Sequence, residues 1–249
     1  MILVLWVVPR STSTAFGWMM RMRGDMTCFH EPYARPWFRG ESPLWPRIRP
    51  DDPRIPGLTF AKVTEDILAA ARERPVFVKD MPTHVDHLWH DPAFLAPFTN
   101  TFLIRHPAKV LASILSRDPG CTHKELGFAD QRALFNLLCQ RDGVAPPVID
   151  SDDLLADPHG VVKTYCTAAG IEFRPEALEW EPGPRTEVSW WDQGSWHDTL
   201  RKSDGLKPQP HVKLPDVDGF PDDWKRHYEA VLPHYERLHA HRLRVDDRT

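Results

Sequence analysis

Short apolar or β-branched runs without polar alternation recur along the chain, at residues 2–8, at 75–78 with Lys79 at the end, at 99–104 and at 147–149. A strand wetted on one face alternates, so unbroken runs of this kind belong to strands covered on both faces. Stretches with helical spacing lie between them. Residues 61–74 put Val63, Ile67, Leu68 and Ala71 on one side, and residues 107–117 do the same with Val110, Leu111, Ile114 and Leu115. Strands and helices in alternation are the pattern of a parallel sheet with crossover helices. More helices are expected over 130–142, from Asp157-Pro158 to a stop at Gly170, and over 222–243 with a kink at Pro233. A short extra strand is expected near 26–29. Residues 174–221 show no such period and are rich in Trp, Pro and Gly. The expectation is a single α/β domain over 1–249, with a central parallel sheet flanked by helices. Its irregular Trp/Pro-rich late segment could fold over a ligand.

A formal charge of −4 gives the chain no general field for polyanions. A nucleic-acid partner is not expected, and anion binding must come from local placement of Arg and Lys. Cys28, Cys121, Cys139 and Cys166 are widely spaced with no C-x-x-C pair, which reads as reduced thiols rather than a disulfide framework or zinc ribbon. The apolar start has no basic n-region and no A-x-A-like site, and it is too short to span a bilayer. A buried first strand and a cytoplasmic protein without membrane association are therefore expected.

The first strand runs into Pro9-Arg10-Ser11-Thr12-Ser13-Thr14 and then into a helical stretch. A strand, a tight loop and a helix present backbone N–H groups to an anion. The four hydroxyls add donors, and Arg10 adds a charged fork suited to phosphate or sulfate. Ser and Thr are also good N-caps, so a merely well-capped helix is the competing reading. The loop is not a Walker A sequence, having neither its glycines nor its lysine.

A second element narrows the choice. Residues 101–117 read TFLIRHPAKVLASILSR, a strand followed by Arg105-His106-Pro107 and then Ser113. Here the chain resembles the sulfotransferases that use 3′-phosphoadenosine 5′-phosphosulfate (PAPS). That family pairs a first loop [KR]-S-G-[ST]-[ST] for the 5′-phosphosulfate with a later R-[DNH]-P-x-x-x-x-x-S, whose Arg and Ser hold the 3′-phosphate. Arg10, Ser11, Ser13 and Thr14 match the first, and Arg105, Pro107 and Ser113 match the second. Thr12 stands where the family has Gly and tolerates fewer backbone conformations. The resemblance implies a P-loop-like fold, PAPS as donor, adenosine 3′,5′-bisphosphate (PAP) as product, and no required metal. The segment SWHDTLRKSDGLKP resembles the family's late basic loop, so Arg201 and Lys202 are candidates to reach a phosphate.

Sulfuryl transfer needs a base for the acceptor's proton and positive charge at the departing phosphate oxygen. Arg10 suits the second task, with Lys79 as a further cation. Carbohydrate-type members of the family carry an F-E-P or H-E-P segment whose Glu is the base, and Glu31-Pro32 matches it, which implies Glu31 in that role. His30 would point to the opposite side of a strand. Aryl and steroid types use a His in K-T-H-x-P instead. The corresponding stretch here is Lys79-Asp80-Met81-Pro82, with His84 nearby as the substitute candidate and Asp80 as a structural or acceptor-binding carboxylate. His84, His87 and His90 fan apart at their spacing and read as a solvated, partly aromatic patch rather than a metal site. Trp180, Trp190, Trp191 and Trp196 read mainly as core, with some available to line an acceptor pocket. The acceptor is expected to be a small molecule bearing a hydroxyl or amine. A P-loop phosphotransferase or kinase, and a non-catalytic nucleotide-binding protein of the same fold, are the alternatives.

Overall fold

A computed structural model describes residues 1–188, 198–210 and 213–245. Trp190, Trp191 and Trp196 lie outside the described residues. In chain order the elements are β1 (Ile2–Val7), α1 (Ser13–Met22), β2 (Thr27–His30), α2 (Ala34–Arg39), α3 (Phe60–Glu73), β3 (Val76–Asp80), α4 (Pro92–Leu95) and β4 (Phe98–Ile104). There follow α5 (Pro107–Leu115), α6 (His123–Leu126), α7 (Phe128–Asp142), β5 (Val148–Asp150), α8 (Ser151–Ala156), α9 (Pro158–Ala168), α10 (Asp198–Lys202) and α11 (Asp222–His239). All strand pairs are parallel, in the order β2-β3-β1-β4-β5.

The central strand shows why the apolar runs are unbroken. Ile2, Val4, Trp6 and Val8 pack into one core with residues of α3, α5, α7 and α11. Leu3, Leu5 and Val7 pack into a second core with α1 and α9. Alternate side chains thus serve opposite layers, and burial of each large one contributes about 1.5–3 kcal/mol. Trp180 joins the second core, donating from its indole N–H to Ser203.

The expected helix ends are found with small shifts. Pro107 opens α5, Asp157 caps α9 by accepting from the Gly160 N–H, and Gly170 follows α9 at φ 68°. Pro233 lies inside α11.

The site's position follows from topology. β1 and β4 are neighbours, yet β1 leads to α1 on one face and β4 to α5 on the other. A crevice therefore opens at the carboxyl ends of these two strands, where open α/β sheets bind ligands. Gln131, almost fully buried on α7, bridges the strands there by donating to the carbonyls of Trp6 and Leu103.

Candidate active site

A cavity of about 520 Å³ occupies this crevice, and both sequence motifs line it. Residues 9–15 form one wall, with Arg105, Lys109 and Ser113 beside them. Arg10 and Thr12 adopt left-handed backbone, at φ 60° and 67°. That conformation is awkward for a β-branched residue and free for Gly, so the position at which the family motif has Gly does require positive φ here. Thr12 is held in it by a 2.7 Å hydrogen bond between its hydroxyl and that of Ser151.

The capped-helix reading fails on the same residues. Thr12 occupies the N-cap position of α1 but makes no side-chain cap, and the Ser11 hydroxyl donates instead to the Val8 carbonyl, 2.7 Å away. The first turn of a ten-residue helix thus meets the cavity with no side chain serving its N-cap. Such a terminus attracts anions through its N–H groups and its dipole.

The two motifs lock together. Arg10 Nε donates to Ser113 Oγ at 2.9 Å, and Arg105 Nη1 donates to the Arg10 carbonyl at 2.6 Å. Arg105 Nε is buried without a hydrogen-bond partner in the protein. Burial, reinforced by the charges of Arg117 and Arg105, lowers the Arg10 pKa to about 10. Burial also lowers that of Arg105, against the opposing pull of Asp152 and Asp150. Lys109, buried on α5, is balanced by Asp152 at 2.8 Å from both carboxylate oxygens. Arg10, Arg47, Lys79, Arg105 and Lys109 line the cavity against Glu31, Asp118 and Glu125, so cations outnumber carboxylates there in a chain that is acidic overall. Lys109 was missed in the sequence, although it sits on the helical stretch of the second motif.

Glu31, just after β2, and Lys79, on β3, line the same cavity and form an ion pair. Burial raises the Glu31 pKa, but the Lys79 charge and hydrogen bond, with His30 and His84 adding, outweigh it and hold the carboxyl well below the usual range. Glu31 too is left-handed, at φ 48°. That turn corrects one expectation. His30 lines the cavity together with Glu31, because strand alternation ends at the last residue of β2.

His84 is placed differently from its candidate role. It is fully buried, bonded through Nδ1 to Asp80 Oδ1 at 2.6 Å, and it is not among the residues lining the cavity. The three-histidine surface patch is thereby corrected, since only His87 and His90 remain near solvent, His87 against Phe60 and His90 against Trp89. No cluster of potential metal ligands occurs among the described residues.

The late loop also divides. Leu200, Ser203, Gly205, Leu206 and Gln209 line the cavity, whereas Arg201 and Lys202 are exposed and Arg201 pairs with Asp198 at 3.0 Å. Main-chain bonds tie the loop down, from Leu206 N to Leu178 O and from Gln209 N to Leu155 O, both 2.8 Å. At Gly205 a Cβ would stand 2.6 Å from the Leu178 carbonyl oxygen, so only Gly fits the approach.

The apolar part of the cavity lining was unforeseen. Phe38, Trp45, Met81, Ile114 and Cys121 form its apolar wall. Arg47 lies over the Trp45 ring at 5.0 Å and bridges Asp118 and Glu125, each at 2.6 Å. Nothing in the sequence joins Arg47 to residues about seventy positions later.

A parallel α/β sheet that brings a hydroxyl-rich loop after β1, a second basic motif after β4 and a carboxylate to one cavity has the layout of a group-transfer enzyme. A family model described as "Sulfotransferase domain" matches residues 1–242, and the chain belongs to that family. Over 188 residues it is 26% identical to "Sulfotransferase ppzF" of Metarhizium rileyi, covering 61% of this chain and 55% of that protein. It is 29% identical over 248 residues to "Branched-chain-amino-acid aminotransferase-like protein 2" of Arabidopsis thaliana, covering 95% of this chain and 41% of that protein. The chain thus spans about two fifths to about half of these relatives' lengths. Its fold matches the "Sulfotransferase Domain from the Curacin Biosynthetic Pathway", with a TM-score of 0.52 at 15% identity over 92% of this chain and 96% of that one. The "Sulfotransferase Domain from the Synechococcus PCC 7002 Olefin Synthase" also scores 0.52, at 17% identity over 92% and 93%. No helix among the described residues is long and apolar enough to cross a membrane.

Proposed function

We propose that the chain transfers a sulfuryl group from PAPS to a hydroxyl or amine of a small-molecule acceptor, with no metal taking part. The observation that carries this reading is the convergence of an uncapped helix N-terminus, Arg10, Arg105 and Ser113 on one cavity with Glu31. In this reading the N–H groups of residues 11–14, the loop hydroxyls and Arg10 hold the 5′-phosphosulfate. Arg105, with its orphaned Nε, and Ser113 take the 3′-phosphate. Lys109 strengthens the field, and the strap at 203–209 covers the nucleotide. Arg201 and Lys202 reach a phosphate only if α10 turns toward the cavity.

The acceptor occupies the end walled by Phe38, Trp45 and Met81. Its oxygen or nitrogen attacks sulfur as the bond from sulfur to the bridging phosphate oxygen breaks, and its proton goes to a Glu31 oxygen. PAP departs with the bridging oxygen, whose growing charge Arg10 and Lys79 stabilise. The Lys79–Glu31 pair gives donor binding a second consequence. As the phosphosulfate draws Lys79 toward itself, Glu31 loses the charge that weakens it as a base, and its burial then raises its proton affinity.

Calorimetry with PAP, against ATP plus Mg²⁺, tests the donor site. Submicromolar PAP binding that falls at least tenfold in Arg105→Ala supports the reading, and binding of ATP alone sinks it. Labelled PAPS presented with a panel of alcohols, phenols, amines and sugars then identifies acceptors. Glu31→Gln should cut turnover by about 10²–10⁴-fold with PAP affinity retained, which also separates an enzyme from a mere nucleotide binder.

A further inference from the structure

We propose that the buried Asp80–His84 pair is a positioning device that holds Glu31 in its left-handed, cavity-facing conformation. The inference rests on the reading of Glu31 as base. β3 ends at Lys79-Asp80; Lys79 goes to the cavity, and Asp80 is fully buried away from it. A carboxylate so placed needs several partners. Oδ1 accepts from His84 Nδ1 at 2.6 Å and from the Met81 N–H at 2.8 Å, and Oδ2 accepts from the Tyr33 N–H at 2.7 Å.

Tyr33 lies two residues after Glu31. The Glu31 turn is otherwise fixed by main-chain bonds, from Glu31 N to Lys79 O at 2.7 Å and from Ala34 N to Glu31 O at 3.2 Å. Asp80 therefore supplies a side-chain tether to a turn whose φ of 48° is unfavourable for Glu. His84 orients that tether. Its ring sits 5.0 Å from Trp37 and 6.0 Å from Phe38, both on the helix that follows the Glu31 turn. Its Nε2 is buried with no hydrogen-bond partner. The imidazole thus has one polar task, donating to Asp80, and one packing task, seating α2. It does not line the cavity, so it cannot exchange a proton with an acceptor there.

The test compares three His84 variants of the full chain, assayed with the acceptor that the panel turns over fastest. His84→Leu removes the donor to Asp80. His84→Asn places an amide N–H near the Nδ1 position. His84→Gln carries its amide one methylene further and misses Asp80. The expected result is a 10–100-fold loss of kcat in the Leu and Gln variants, with PAP affinity within threefold of wild type, and recovery of most of that loss in the Asn variant. Circular dichroism and Tm confirm folding, and the Asn–Gln comparison decides if the Leu variant does not fold. Wild-type kcat in the folded Leu or Gln variant overturns the proposal, as does an Asn variant no better than Gln. Glu31→Gln, measured alongside, separates the two levels. If it stays active, the reading of Glu31 as base fails and this inference falls with it. If it is dead while every His84 variant is intact, only this inference fails.

Discussion

Substituting Thr12 tests the loop geometry without touching charge. At φ 67° and ψ 4°, an L residue carries about 1–2 kcal/mol of steric cost that Gly escapes. Gly returns about 0.5–1 kcal/mol of this through the greater freedom it loses on folding. The hydrogen bond between Thr12 and Ser151 contributes about 1 kcal/mol. Thr12→Gly gains the first quantity and loses the other two, and so ends within about 1 kcal/mol of wild type. Thr12→Ala keeps the steric cost and loses the hydrogen bond, and so falls about 1 kcal/mol below it. Gly should therefore exceed Ala by about 0.5–1 kcal/mol, the reverse of their order in ordinary backbone. For a chain of this size that separates the two melting temperatures by about 1–4 °C. Thermal unfolding followed by circular dichroism, with urea titration as a check, measures the order directly. An Ala variant that melts above the Gly variant refutes the left-handed turn, and with it the account of the loop's N–H groups.

Lys79→Met leaves Glu31 with burial but without its counter-charge, so the acid limb of kcat/KM should move to higher pH. Stability should follow the same sign. A depressed carboxyl contributes stability above its unfolded pKa of about 4.5 and loses it as pH falls, so the variant should lack that acid-side loss; an unchanged acid profile counts against the ion pair. Asp150 has the opposite sign, because burial lifts its pKa from 3.8 to about 6. Its contribution is fully present below 3.8 and is lost as pH rises through about 6, so Asp150→Asn should flatten the Tm profile across that window. Gly205→Ala forces a Cβ against the Leu178 carbonyl and should cost about 1–3 kcal/mol. It should also weaken PAP binding through the displaced strap, and wild-type PAP affinity would show that 203–209 does not cover the donor.

The sheet was readable because β1 feeds both layers, which removes polar alternation and leaves an apolar signature. The convergence of Arg10, Arg105 and Ser113 on one cavity was readable because each motif follows a strand and keeps its local spacing. Arg47 was not. Its carboxylates Asp118 and Glu125 are remote in sequence, and a charged pair made by tertiary folding leaves no periodic trace. Lys109 was hidden by another rule, since a lysine at a helical position normally reads as solvent-facing, and only Asp152 on the next strand's helix makes its burial tolerable. The errors at His30 and His84 share one cause, the extension of regular geometry past the end of a strand. β2 turns left-handed at Glu31, and the chain after Asp80 folds inward on a buried carboxylate.

Backbone strain links the loop after β1 and the turn at Glu31. Among the described residues, the non-glycine positions with positive φ are Arg10, Thr12 and Glu31, and all three line the cavity. Conformations of this kind persist only where their surroundings over-determine them. Arg10 is fixed by Ser113 and Arg105, Thr12 by Ser151, and Glu31 by Lys79, with Asp80 tethering its turn. Each anchor except Lys79 and Asp80 lies more than 90 residues away in sequence, just after β4 or on α5 or α8. The site's geometry is therefore set by sheet order, which brings the ends of β3, β1 and β4 together, rather than by the local sequence of any one loop. A change that loosens the β1–β4 crevice, such as loss of the Gln131 bridge, should release Arg10 and Thr12 while leaving Glu31 in place on the β2–β3 side.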